Sequence, residues 1–168
     1  MPATYDSIAS TTLGSNQTTV EFTSISGSYT DLFLVAMIGN SANNERDLYI
    51  QVGNGSYDSG ANYSRTFLYG NGTSAASSRT SNNTEWRFFP AVQNNTPSQF
   101  VSIHFQNYSN TTTNKTALGR AGFGSNNVGA WVGLWRSTSA INRIKLYCQP
   151  TADFVTGSTF TLYGIKAA

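Results

Sequence analysis

Val101-Ser102-Ile103-His104-Phe105-Gln106 alternates an apolar residue with a polar one over its whole length. Successive side chains of an extended strand point to opposite faces, so this period of two puts Val101, Ile103 and Phe105 on one face. Ser102, His104 and Gln106 fall on the other. A helix brings together residues three and four apart, and it would scatter the same apolar set around its surface. The two-residue period recurs along the chain. Val20 and Phe22 alternate with polar residues before Ser26-Gly27-Ser28. Leu48, Ile50 and Val52 alternate up to Gly53-Asn54-Gly55. Tyr63, Arg65, Phe67 and Tyr69 share a face up to Gly70-Asn71-Gly72. Ile144, Leu146 and Cys148 alternate with Arg143, Lys145 and Tyr147. The Gly, Asn and Ser clusters between these segments are turn signals.

Further strands are expected at 32–38, 86–92, 115–120, 128–136 and 160–165. Pro90 cannot donate a ladder hydrogen bond, which marks 86–92 as an edge strand or a bulged one. Residues 71–84 are small and polar around Arg79 and read as a loop. No segment carries a helical period, and parallel pairing would need crossover helices. The expectation is an all-β fold: an antiparallel β-sandwich, jelly-roll-like, of about 8–10 strands. A length of 168 residues suits one domain spanning 1–168.

Charged residues make up only 11% of the chain, and Ser, Thr and Asn (21, 21 and 17) supply the polarity instead. Aromatics at 13% argue against disorder, since they supply the buried area that disordered chains lack. The net charge of +2 comes from singly scattered Arg and Lys, which points away from nucleic acid. The apolar run 32–38 is too short to span a bilayer. The N-terminus lacks the basic and apolar regions of a secretory signal, so synthesis and folding in a cytoplasm are expected. The nine Asn-x-Ser/Thr triplets then follow from composition alone.

Catalytic machinery is not recognisable. His104 is the single histidine, so a histidine metal cluster is excluded and a Ser-His-Asp device has one candidate base, which faces away from the core side of its strand. No G-x-S-x-G elbow occurs. The carboxylates Glu21, Glu45, Asp47, Asp58 and Glu85 sit in ordinary strand-end or loop contexts. Asn43, Glu45 and Asp47 alternate as in a calcium loop. The match fails at Leu48, where glycine is required, and at Asn54, where glutamate is. Cys148, on the face of Ile144 and Leu146, reads as a small buried hydrophobe. No enzymatic activity, cofactor or metal is expected.

Two segments stand out because both faces are apolar. In 32–38, Leu32, Leu34, Ala36 and Ile38 oppose Phe33, Val35 and Met37. In 128–135, Val128, Ala130, Val132 and Leu134 oppose Trp131 and Trp135. A strand of a two-sheet sandwich has one face in the core and one in water, so each segment needs a second cover. That cover is either the chain's own termini and loops or a neighbouring subunit. Trp131, Trp135, Phe33, Val35 and Met37 are the interface candidates.

Five segments are distinctive: Asn62-Tyr63-Ser64-Arg65-Thr66-Phe67-Leu68-Tyr69-Gly70, Gln106-Asn107-Tyr108-Ser109-Asn110-Thr111-Thr112, Val132-Gly133-Leu134-Trp135-Arg136-Ser137-Thr138, Ala140-Ile141-Asn142-Arg143-Ile144 and the terminal Gly157-Ser158-Thr159-Phe160-Thr161-Leu162-Tyr163-Gly164-Ile165. With them the chain resembles a family of small all-β virion proteins of tailed bacteriophages, including phages of cyanobacteria. The resemblance covers most of the chain. It implies a virion structural protein, a capsid decoration (cement) protein bridging capsomers. Its partners would be the major capsid protein and further copies of itself, as a trimer. The alternative is a tail-associated receptor-binding module for host surface carbohydrate, with Trp86, Tyr57 and Tyr69 stacking on sugar rings.

Overall fold

The computed structural model describes residues 4–92, 95–123 and 127–166. These residues contain thirteen strands and no helix. In chain order the strands are β1 (Tyr5–Thr12), β2 (Thr19–Phe22), β3 (Asp31–Ile38), β4 (Arg46–Asn54), β5 (Ser56–Tyr57), β6 (Tyr63–Gly70) and β7 (Ala75–Asn83). They continue as β8 (Trp86–Val92), β9 (Gln99–Gln106), β10 (Lys115–Phe123), β11 (Asn127–Trp135), β12 (Arg143–Gln149) and β13 (Thr159–Ile165).

Two antiparallel sheets pack face to face. The large sheet has the order β1-β13-β3-β9-β10-β11-β6-β7. The small sheet runs β2-β12-β4, with β5 and β8 both pairing on β4. Eight of the strands form the ground plan: β1-β13-β3-β9 in the large sheet over β2-β12-β4-β8 in the small one. Along them the chain changes sheet at every step except β4 to β8, a path compatible with a jelly-roll winding. The other strands are insertions. Hairpins β6–β7 and β10–β11 both add to the same edge of the large sheet, beyond β9.

The core comes from the apolar alternation. One inward row crosses the large sheet through Phe67, Trp131, Gly119, Ile103, Leu34 and Leu162, which stand opposite one another in register. The small sheet answers with Ile50, Val52, Ile144 and Leu146, all without exposed surface. Val101, Ile103, Phe105, Ile144, Leu146 and Leu162 are all buried. So is Cys148, whose thiol burial pushes up to about 12.

The inserted hairpins extend past β4, and β8 is the small-sheet strand that packs beneath β6, β10 and β11. Aromatic rings fill this second part of the core. Trp86 of β8 meets Tyr63 edge-on at 5.2 Å and hydrogen-bonds through its indole N–H to the carbonyls of Ser64 (3.2 Å) and Leu134 (3.3 Å). Glycine makes the room: a Cβ on Gly133 would lie 2.5 Å from the Trp131 ring, and one on Gly119 would lie 2.2 Å from Phe88.

Strand 86–92 carries the expected bulge, with Leu48 opposite Phe88 but Arg46 opposite Val92. The side chain of Pro90 lies outside the described residues. Segment 71–84 differs from expectation. Only its first residues form a turn; Ala75–Asn83 is β7, the edge strand of the large sheet, paired along β6. An edge strand with nearly every side chain exposed has no apolar face, so it carries no period-two signal.

Candidate interaction surface

The outer face of the large sheet is built from the positions that alternate with the core rows. One outward row runs Thr66, Val132, Leu118, His104, Phe33 and Tyr163. The next runs Leu68, Ala130, Arg120, Ser102, Val35 and Thr161. Phe100 and Met37 pair beyond these, and Val128 pairs Gly70.

Eight large apolar side chains are exposed among the described residues: Tyr5, Met37, Leu68, Phe100, Leu118, Val128, Val132 and Leu134. Every one is on this face. Leu68 is 60% exposed and Val128 66%. Tyr5 turns onto the face by packing edge-on against Phe33 and Tyr163. Leu68, Phe100, Arg120, Val128 and Ala130 line an open groove at its β10–β11 end. The outer face of the small sheet is different: β12 presents Arg143, Lys145 and Tyr147, and β4 presents Asp47, Tyr49 and Gln51. Single exposed apolar residues are ordinary, but among the described residues all of the large ones are segregated to one of the two faces.

Of the five interface candidates, Phe33 and Val35 are half-buried on this face and Met37 is exposed there. Trp131 and Trp135 are placed otherwise. They are 3% and 2% exposed and point into the sandwich. Trp135 donates its indole N–H to Asp58 at 2.6 Å. Both faces of β11 are apolar, so ring size suggested an anchor, but the larger face went to the core. A partner would meet Val128, Val132 and Leu134 on β11, one layer above the indoles.

His104 lies amid this face, its Nε2 2.9 Å from Asp31 and its ring edge-on to Phe33. The other carboxylates are dispersed. Asp47 pairs with Arg87 at 2.7 Å, and Glu85 accepts the Tyr147 hydroxyl at 2.7 Å. Burial pulls the Asp58 carboxyl up, but hydrogen bonds from Trp135, Asn62 and the Gly60 N–H outweigh it and hold it below the usual range. Among the described residues no three His, Cys, Asp or Glu side chains group to hold a metal. The sugar-stacking set is not free as a platform: Trp86 is fully buried, Tyr69 stacks on Phe67 at 5.2 Å, and Arg143 and Lys145 cover Tyr57.

No protein-family model matches the chain, and no curated protein matches it either.

Proposed function

We propose that the protein is a structural component of a bacteriophage virion, a capsid decoration protein that seats the outer face of its large sheet on neighbouring protein. The observation that carries this reading is the gathering onto that one face of every exposed large apolar side chain among the described residues. The sequence resemblance to phage virion proteins supplies the context, and the major capsid protein and further copies of the chain are the partners. Covering such a face returns about 25 cal/mol per Å² of apolar area, before the cost of association.

The test uses virions and heads of the encoding phage. Electron microscopy with labelled protein should place it on the head surface. A Leu68→Lys/Val132→Lys variant should fold normally yet lose self-association in light scattering and binding to stripped heads. A protein found only on tails, or a variant that assembles and binds like wild type, would overturn the reading.

A further inference from the structure

A polar pocket of about 400 Å³ opens where the overhanging β6–β7 hairpin meets the edge of the small sheet. It lies on the other side of the molecule's layering from the docking face. Arg65, Thr80, Asn82, Asn83, Glu85 and Arg87 line it, with Tyr49 as an aromatic wall stacked on Tyr147 at 5.7 Å.

Arg65 is the unusual member. It takes an inward position on β6, between Tyr63 and Phe67, and is 4% exposed. A guanidinium carries five donors and does not deprotonate in proteins, so burying one calls for a counter-charge and a full set of acceptors. Arg65 has neither. Its Nε reaches Thr80 Oγ1 at 3.3 Å, its Nη1 is buried with no hydrogen-bond partner, and among the described residues no carboxylate is within ion-pair distance. Its planar group sits 5.2 Å from the centroid of the Phe67 ring. Burial, and after it the Arg87 charge, pull its pKa below the ordinary arginine range.

The other charged groups around the pocket have hydrogen-bonding partners, that of Glu85 being a neutral hydroxyl. Arg87 is bound by Asp47, and Glu85 accepts from Tyr147. Arg65 and Arg87 against Asp47 and Glu85 sum to zero, so a monoanion seated on Arg65 leaves the pocket one charge negative where a dianion would leave it two. The walls are held in place. Arg136 donates to Asn82 Oδ1 at 3.0 Å and to the Ala61 carbonyl at 2.6 Å, and Asn83 donates to Thr80 Oγ1 at 2.7 Å. Amide and hydroxyl groups beside a flat ring suit a polyhydroxylated ligand.

We propose that this pocket binds an acidic sugar, whose carboxylate seats on Arg65 and whose hydroxyls meet the Thr80, Asn82, Asn83 and Glu85 side chains. The carboxylate matches the guanidinium fork and supplies the counter-charge the fold omits. The site is independent of the docking face and stands whether or not the protein decorates a capsid.

The experiment titrates the full chain with glucuronate and galacturonate, with glucose and inorganic phosphate as comparisons, followed by calorimetry and by NMR of the arginine side chains. At least one uronate should bind with about millimolar affinity, and glucose and phosphate should bind at least about tenfold more weakly. Arg65→Gln should weaken uronate binding by about tenfold or more. Its melting temperature without ligand should not fall, because removing an unmatched buried charge is neutral or stabilising. Should Arg65→Gln fail to fold, Arg87→Gln at the rim decides, with a several-fold loss expected. Absence of uronate binding, equal binding of glucose or phosphate, or full uronate affinity in the variants would overturn the proposal.

Discussion

Trp86 and Trp131 stand perpendicular, with ring centroids 5.4 Å apart and planes at 87°. The edge of one ring meets the face of the other, the arrangement that aromatic quadrupoles favour. The pair joins β8 of the small sheet to β11 of the large one and closes the core beneath the inserted hairpins. Trp131 is therefore a stability residue. Trp131→Ala should destabilise the fold by about 3–5 kcal/mol in urea unfolding. An unchanged unfolding midpoint accompanied by lost self-association would show that the indole serves an interface instead.

Gly119 shares this core. A methyl group there would stand 2.2 Å from Phe88 and 3.1 Å from Trp131, both held by neighbouring rings. Gly119→Ala should cost about 1–3 kcal/mol through overpacking. Gly122→Ala, where nothing lies within 4 Å, should be nearly silent in the same measurement.

Asp31 ties the end of β9 to the start of β3. One carboxylate oxygen accepts the Asn107 backbone N–H at 2.6 Å, and the other is 2.9 Å from His104 Nε2. Asn107 holds a left-handed φ of 49°, so the turn needs this anchor more than an extended segment would. Asp31→Ala should lower stability by about 1–3 kcal/mol. Asn107→Gly should leave it unchanged or slightly improved, as read by thermal unfolding.

Cys148 gives a pH signature. Burial is the main cause that raises its thiol to about 12, opposed by Arg46 and aided by Asp153 and Asp47. The folded state thus keeps a proton that the unfolded chain releases from about pH 9 upward. The stabilisation is whole below that pH and is lost as pH climbs toward the folded value, on the order of 4 kcal/mol in all. The buried tyrosines add to the alkaline loss, so the comparison is with Cys148→Ala, whose stability should fall less steeply between about pH 9 and 11. Equal slopes would remove Cys148 from the account. The native thiol should also resist thiol reagents at neutral pH and react once urea unfolds the chain.

The sequence was informative wherever a strand has one wet face and one dry one. Val101, Ile103 and Phe105, or Ile144 and Leu146, declare both strand and orientation because water and core demand different residues on alternate positions. Edge strands make no such demand. Ala75–Asn83 is exposed along nearly its whole length and was legible only as polar chain, and Tyr5–Thr12 gave no signal for the same reason. The reverse problem hid the face of β11: with apolar residues on every position that matters, period two gives the strand but not its orientation. Arg65 was visible on the face of Tyr63 and Phe67. What a guanidinium meets there depends on where β8 ends, a tertiary fact that no local pattern encodes.

The two inserted hairpins also set a proportion. Each strand adds about 4.8 Å of width, so β10, β11, β6 and β7 broaden the large sheet by about 19 Å, while the opposing sheet gains no strand of similar length and meets them with its own edge strand β8. Growth of this kind enlarges area faster than volume. The chain becomes a tile rather than a ball, with a broad front and a thin section.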